Sequence, residues 1–96
     1  MNKRIECIIT GKVQAVGFRY FAFKKAKKLA IFGTVENLED GSVRVVGEGE
    51  EESLKKFVEY LKIGPIWFTP PFTSVKDMNV VWLEASNEFT DFQIIS

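Results

Sequence analysis

The stretch from Gly11 to Arg19 places a glycine-bearing turn and a cation between a strand-like run and a helix-like run. The first backbone N–H groups of a helix have no partner within the helix, and they carry the positive end of its dipole. A phosphate placed there meets several hydrogen-bond donors at once. Arg19, in the predicted first turn, adds a planar guanidinium that can bind two phosphate oxygens. The stretch therefore predicts an anion-binding site, and the alternative is an ordinary turn followed by a solvated surface arginine.

The composition of the 96-residue chain argues against several other kinds of chemistry. Thirteen basic residues balance thirteen acidic ones, so there is no overall basic field to hold nucleic acid or an anionic membrane. The chain has no histidine, which removes the commonest general acid or base and the commonest metal ligand. Its single cysteine, Cys7, lies in an apolar strand pattern and is expected to be a small buried side chain. A zinc site is therefore not expected.

Length and hydropathy indicate one globular domain over residues 1–96. The chain is too short for a second core, and its hydrophobic fraction of 46% is ordinary for a globular protein. The N-terminus shows alternation rather than a long apolar run, so neither a signal peptide nor a membrane span is expected. We expect a cytoplasmic protein that does not associate with a membrane.

Hydrophobic periodicity predicts the elements that position the glycine-bearing turn. Residues 4–10 alternate as a strand, and residues 19–30 carry an apolar stripe at helical spacing that Gly33 ends. Asp40-Gly41 is a strong hairpin-turn signal. The other predicted elements are hairpin strands over residues 33–38 and 42–47, a second helix introduced by the acidic run 48–52 and ended by Gly64-Pro65, and strands over 75–84 and 91–95.

Two clusters outside these apolar stripes could contact a partner. The four lysines of the first helix are Lys24, Lys25, Lys27 and Lys28. They favour a solvated helix face over a nucleic-acid patch. In residues 66–73, the aromatic side chains are Trp67, Phe68 and Phe72. We expect these aromatics to form an apolar patch that covers a sheet edge or pairs two chains, or else to pack onto the domain's own core.

The order strand, helix, strand, strand, helix, strand, with a short terminal strand, predicts an α+β fold. This is the ferredoxin-like α/β sandwich (βαββαβ), in which an antiparallel sheet carries two helices on one face. The first strand, the first helix and the second strand form a crossover unit. The two strands of this unit run parallel to each other, so their C-terminal ends lie at the same edge of the sheet. By strand alternation, Asn37 shares the core face with Val35 and leans toward the glycine-bearing turn, whereas Glu36 points away.

Two long motifs in this chain resemble the signatures of the acylphosphatases. The first is Gly11-x-Val13-Gln14-x-Val16-Gly17-Phe18-Arg19, and the second is Gly33-x-Val35-x-Asn37-x-x-x-Gly41-x-Val43, followed by Gly49. The tail Phe89-x-Asp91-Phe92-x-Ile94 and the pair Gly64-Pro65 also match the family pattern. The resemblance therefore spans nearly the whole chain.

The resemblance implies an enzyme that hydrolyses the carboxyl–phosphate bond of acyl phosphates to a carboxylate and inorganic phosphate, without metal or cofactor. The family's catalytic arginine corresponds to Arg19, which would hold the phosphoryl group, and its catalytic asparagine to Asn37, which would orient the attacking water. The family's phosphate cradle corresponds to the backbone of Gln14, Ala15, Val16, Gly17, Phe18 and Arg19. The expected partners are a small acyl phosphate, and inorganic phosphate as product or inhibitor. The expected state is a monomer that binds no nucleic acid.

Three places depart from the family pattern. Ala15 stands where the family usually has glycine, and a positive φ there would strain alanine by roughly 1 kcal/mol, whereas a negative φ would make it harmless. Glu36 stands where a basic or neutral residue is common, and it is expected to affect only the surface. Residues 63–75 form a longer and more aromatic connection than is usual, which affects the edge of the predicted site.

Two other functions are compatible with the same fold. One is a binding or maturation module that keeps the acylphosphatase shape without turnover, as occurs within larger carbamoyl-transfer proteins. The presence of both Arg19 and Asn37 favours the enzyme over this module. The other is an RNA-binding ferredoxin-like sheet, which needs exposed aromatic residues on two central strands. That reading is not favoured, because Phe18 lies at the helix entry instead.

Overall fold

A five-stranded sheet with two helices forms the computed structural model, which describes residues 1–14, 17–65 and 74–95. In chain order the elements are β1 (Asn2–Lys12), α1 (Phe18–Lys28), β2 (Phe32–Asn37), β3 (Val43–Glu50), α2 (Glu51–Ile63), β4 (Ser74–Glu84) and β5 (Phe92–Ile94). The strands lie in the order β4-β1-β3-β2-β5. The predicted α+β, ferredoxin-like order of strands and helices is confirmed. No described helix has the length and apolar character needed to cross a membrane.

The sheet is mixed, whereas the sequence predicted an antiparallel one. β1 pairs antiparallel with β3 and β4, and β2 pairs antiparallel with β3. β5 instead pairs in parallel with β2, where Val35 lies opposite Ile94. The reason is geometric: β4 ends at the side of the sheet where β2 begins. A segment that crosses that end therefore delivers the chain to the far edge running in the direction of β2.

The core lies between the sheet and the two helices. The fully buried side chains there include Ile5, Cys7 and Ile9 of β1, Val43 and Val45 of β3, Phe18, Ala22 and Ala26 of α1, and Leu54, Phe57 and Leu61 of α2. Alternate residues of a strand point to opposite faces, so the predicted alternation of β1 is confirmed by this burial. Burial raises the pKa of the Cys7 thiol to about 12, which keeps it neutral and supports its prediction as a small apolar side chain.

Helix α1 ends earlier than predicted, and Gly33 has a different role. The helix stops at Lys28, and Ala30 adopts a left-handed conformation with φ of 57°. The amide of Ile31 then donates to the carbonyl oxygen of Ala26 at 2.9 Å, which satisfies a helix-end acceptor. Gly33 lies inside β2 with φ of 152°, and a Cβ there would overlap the carbonyl oxygen of Val46. Gly33 is therefore required by strand pairing rather than by the helix end.

Glu48 belongs to β3 and not to the approach to α2, which begins at Glu51. Only 5% of its surface is exposed, on the sheet face opposite the helices. Its carboxylate accepts hydrogen bonds from Arg4 Nη1 at 2.9 Å, the Ser86 amide at 2.9 Å, Ser86 Oγ at 2.7 Å and the Asn87 amide at 2.9 Å. These contacts hold the segment 85–91, which crosses from β4 to β5, against the end of the sheet. An acidic run at a strand end and one at a helix start have the same local composition, which explains the wrong prediction.

Acidification should destabilise the fold through Glu48. Burial by itself raises the pKa of this carboxyl, but the hydrogen bonds from Ser86, Arg4 and Asn87 outweigh it and lower the pKa from 4.5 to about 2. A pKa that is lower in the folded state gives stability that is present above about pH 4.5 and is lost as the pH falls toward about 2. The full contribution of the Glu48 carboxylate to the free energy of unfolding is on the order of 3 kcal/mol.

Glu48→Gln tests this contribution by urea unfolding at a series of pH values. The variant should lose on the order of 2–3 kcal/mol of the free energy of unfolding at neutral pH. Its free energy of unfolding should also fall less steeply as the pH is lowered. Glu59→Gln, on the exposed surface of α2, is the matched control and should behave like the parent protein. If the free energy of unfolding falls equally steeply with decreasing pH in the parent and in Glu48→Gln, Glu48 is not the source of the acid sensitivity.

Candidate active site

The glycine-bearing turn leads into the first turn of α1. Gly17 caps the helix with φ of 82° and ψ of 10°, a left-handed conformation that glycine adopts without a Cβ penalty. Its carbonyl oxygen accepts the first helical hydrogen bond, from the Phe21 amide at 2.9 Å. In the described first turn there is no acidic residue and no side-chain cap. The positive end of the helix dipole is therefore not neutralised by these residues and can bind an anion.

Arg19 lies in this first turn and is half-buried. With Gly17, Phe18, Tyr20 and Ile94 it lines a cleft of about 180 Å³ between α1 and the end of β5. Phe18 itself is buried in the core, so it can contribute to a phosphate cradle through its backbone only. A guanidinium at this position stands beside the helix amides, where the two kinds of donor can contact the same anion.

Asn37 is the last residue of β2 and faces the helices. It lies opposite Val43 of β3, which in turn lies opposite Ile9 of β1, and both partners are fully buried. Cross-strand partners share a face, so the predicted placement of Asn37 on the core face is confirmed. Glu36 points to the other face, as predicted, and there it pairs with Arg44 at 3.4 Å.

The side-chain oxygen of Asn37 is a buried acceptor. Among the described residues, Asn37 Oδ1 is screened from solvent and accepts no hydrogen bond. An unpaired buried acceptor costs about 1–3 kcal/mol, and an ordered water or a bound group commonly accounts for one in a native protein. The oxygen can therefore accept a hydrogen bond from a water molecule held at the end of β2.

Gln14 joins the loop after β1 to the strand end that carries Asn37. Its Nε2 donates to the carbonyl oxygens of Leu38 and Ser42, both at 2.8 Å. Leu38 directly follows Asn37, and its own amide donates to the Ser42 carbonyl oxygen at 2.8 Å. The sequence predicted only the Gln14 backbone as part of the site. The loop and the β2 end were expected to be neighbours from topology, but no local signal indicates this side-chain contact between residues far apart in the chain.

The described members of the predicted site lie where β1 ends, where α1 begins and where β2 ends, and the Gln14 side chain contacts the β2–β3 connection. Gln14 follows β1, Gly17 and Arg19 begin α1, and Asn37 ends β2. Ala15 and Val16 lie outside the described residues, so the sign of φ at Ala15 stays a prediction. The aromatic cluster Trp67, Phe68 and Phe72 also lies outside them.

Comparison with known proteins gives consistent matches over nearly the whole chain. The model of the Acylphosphatase family matches residues 5–94. The acylphosphatase of Caldanaerobacter subterraneus subsp. tengcongensis is 44% identical over 94 residues, which are 98% of this chain and 99% of that relative. The crystal structure of acylphosphatase from Bacillus subtilis matches with a TM-score of 0.88 and 36% identity, over 98% of this chain and 99% of that one.

A larger protein also contains this fold. Full-length HypF, solved in a phosphate- and nucleotide-bound form, matches with a TM-score of 0.86 and 30% identity over 100% of this chain but only 12% of its own. The alignment with the C. subterraneus relative, by contrast, covers 99% of that relative. The chain belongs to the acylphosphatase family of hydrolases.

Proposed function

We propose that this acylphosphatase holds the phosphoryl group of its substrate with Arg19 and the loop backbone, and that Asn37 orients the attacking water. The loop backbone comprises Gln14, Ala15, Val16, Gly17, Phe18 and Arg19. The observation that carries the proposal is the buried Oδ1 of Asn37, which has no hydrogen-bond partner among the described residues and lies at the strand end to which Gln14 connects the loop. The products are a carboxylate and inorganic phosphate.

The chemistry of the leaving group fits this small set of residues. An acyl phosphate releases a carboxylate, whose conjugate acid has a pKa near about 4, as for an Asp or Glu side chain. Such a leaving group needs no protonation, so the reaction needs no general acid. Phosphoryl transfer depends mainly on positioning and on stabilising the charge of the phosphoryl oxygens. The same site should be poor on ordinary phosphate monoesters, because an alkoxide leaving group does need protonation.

The proposed roles divide between charge and position. The Arg19 guanidinium and the helix amides bind the phosphoryl oxygens in both the ground state and the transition state. Asn37 Oδ1 accepts one hydrogen of the water, which directs the lone pair of the water oxygen toward phosphorus. The proton that the water loses can pass to the phosphoryl oxygens or to solvent, since the chain has no histidine to receive it.

Release of phosphate from benzoyl phosphate tests the proposed function. We expect turnover that persists in EDTA and changes little between about pH 5.5 and 7.5, because the chain has no histidine to act as a general acid or base. Arg19→Ala protein, purified in parallel, controls for contaminating phosphatases. Loss of most activity in EDTA, or a steep titration near neutrality, would count against this mechanism. A folded chain without turnover would instead support a module role.

Gln14→Leu should lower turnover while leaving the fold intact. The substitution removes both hydrogen bonds to the β2–β3 connection, so the loop and Asn37 lose their fixed separation. We expect kcat to fall about 10-fold, since small displacements of reacting groups have effects of this order or greater. Phosphate inhibition should weaken less, because the Arg19 guanidinium remains. Kinetics and thermal melts measure these effects, with Gln93→Leu, on the exposed surface of β5, as the matched control. An unchanged kcat in folded Gln14→Leu would show that these bonds do not position the site.

A further inference from the structure

The cleft beside Arg19 has a mainly apolar lining that phosphate binding does not explain. Its volume is about 180 Å³, and the exposed apolar residues that line it are Tyr20 and Ile94, with the buried Phe18 behind them. The described residues that line it do not include Asn37 or Gln14. A charged phosphoryl group gains little from contact with apolar side chains, whereas the acyl group of an acyl phosphate can pack against them.

Ile94 is an apolar side chain that the fold leaves at the surface. Phe92, two residues earlier on the same face of β5, is buried and packs edge-to-face on Phe57 at 6.0 Å. Ile94 continues that face beyond the helices and is 42% exposed. It lies opposite Val35 of β2, and Asn37 is the next residue of β2 on that face. The last side chain of β5 on the helix side therefore borders the proposed site.

Tyr20 forms the opposite wall from the first turn of α1. Its ring is stacked on Phe23 with centroids 6.3 Å apart and an angle of 25° between the rings. The ammonium of Lys24 lies 5.8 Å from the Tyr20 ring centroid. The ring contacts these two neighbours, and 54% of the residue is exposed. Tyr20 therefore presents an exposed aromatic surface next to Arg19.

We propose that this cleft binds the acyl group of the substrate, and that Tyr20 and Ile94 give the enzyme a preference for aromatic or branched apolar acyl phosphates. The inference rests on the proposed function, because the acyl group enters the cleft only when Arg19 holds the phosphoryl group. A buried cavity of about 150 Å³ accepts one benzene molecule, so the cleft has room for one ring or a short branched chain. Attacking and leaving oxygens stand roughly in line across phosphorus. A cleft that Asn37 does not line allows the water and the acyl group to occupy separate places.

The test compares benzoyl phosphate with acetyl phosphate, which has the same reacting bond but no ring. The parent enzyme should show a kcat/KM for benzoyl phosphate about 10-fold or more above that for acetyl phosphate, the scale of discrimination by an apolar pocket. Ile94→Ala and Tyr20→Ala should each lower this ratio about 3-fold or more, mainly through a higher KM for benzoyl phosphate. A residue with only a structural role would lower both activities together and leave the ratio unchanged.

The chain supplies a matched control for each variant. Ile95 follows Ile94, is 49% exposed and by alternation points to the other face of the sheet, so Ile95→Ala should keep the parent ratio. Tyr60→Ala is the control for tyrosine loss, because Tyr60 lies on α2 beneath Lys25. An unchanged ratio in both site variants, with turnover of acetyl phosphate and inhibition by phosphate present in the parent, would overturn the acyl cleft and leave the proposed function standing. Absence of Arg19-dependent turnover on either substrate would overturn both.

Discussion

Arg19→Ala should abolish nearly all turnover of acyl phosphates. In the proposed mechanism the guanidinium supplies a full positive charge and two parallel hydrogen bonds at the point where the phosphoryl oxygens gather negative charge. The helix amides carry only partial charges and cannot replace it. In other phosphoryl-transfer enzymes an arginine in this role contributes about 10³- to 10⁵-fold, so we expect a loss of at least about 10³-fold in kcat/KM. Inhibition by inorganic phosphate should weaken strongly in the same variant, because the proposed mechanism has Arg19 bind substrate and product alike.

Arg19→Lys distinguishes charge from geometry. A lysine ammonium restores the positive charge as a point but not the two-pronged contact of the guanidinium, so the rescue should be poor. Arg44→Ala is the matched control, because Arg44 pairs with Glu6 and Glu36 on the sheet face away from the site. It should retain parental kinetics. Steady-state kinetics, phosphate inhibition and thermal melts on all three variants decide the question. Full activity in folded Arg19→Ala would exclude Arg19 from the mechanism.

Asn37→Ala should separate catalysis from binding. If Asn37 positions the water, its loss removes an oriented acceptor needed for attack but no contact with phosphate. We expect kcat to fall about 10²-fold or more while phosphate inhibition stays nearly intact. Because Oδ1 is buried and unpaired among the described residues, its removal should leave the melting temperature unchanged or raise it.

The alternative role for Asn37 predicts the opposite pattern. A residue that only stabilises the strand end and the β2–β3 connection would, when replaced, lower the melting temperature and preserve kcat. Asn79→Ala, on the exposed edge strand β4, gives the background effect of losing an asparagine. Circular dichroism, thermal melts and kinetics on the two variants therefore discriminate directly. A folded and fully active Asn37→Ala would refute the catalytic proposal.

Periodic patterns in the sequence predicted the parts of the fold that depend on local burial. The alternation in β1 and the apolar stripe of α2 each arise because one face of the element is buried in the core. Such a pattern can be recognised without knowing which other elements cover that face. The topology then placed Asn37 on the helix-covered face, which the strand register confirms. The sequence therefore predicted the face of β2 that carries Asn37 and the first turn of α1 that carries Arg19.

Contacts between distant residues could not be predicted in this way. The Gln14 side chain binds carbonyl groups 24 and 28 positions along the chain, and any polar side chain in the loop would have looked equally suitable. Glu48 was assigned to the approach to α2 because its partners Ser86 and Asn87 lie in a segment without any periodic signal. The parallel pairing of β5 depends on the direction in which the chain crosses the end of the sheet. The sequence of a three-residue strand does not indicate whether it pairs in parallel or antiparallel.

The central position of β1 has a consequence for how the chain reaches its native state. β1 pairs with both β3 and β4, and Lys3 lies opposite Glu84, 81 residues away in the chain. Proteins dominated by such long-range pairings fold slowly, because a large loop must close before its contacts form. During synthesis, Ile5, Cys7 and Ile9 are made well before their partners on β4. The β4 side of β1 therefore has no strand partner until β4 has been made, so we expect closure of this long loop to limit the rate at which the sheet is completed.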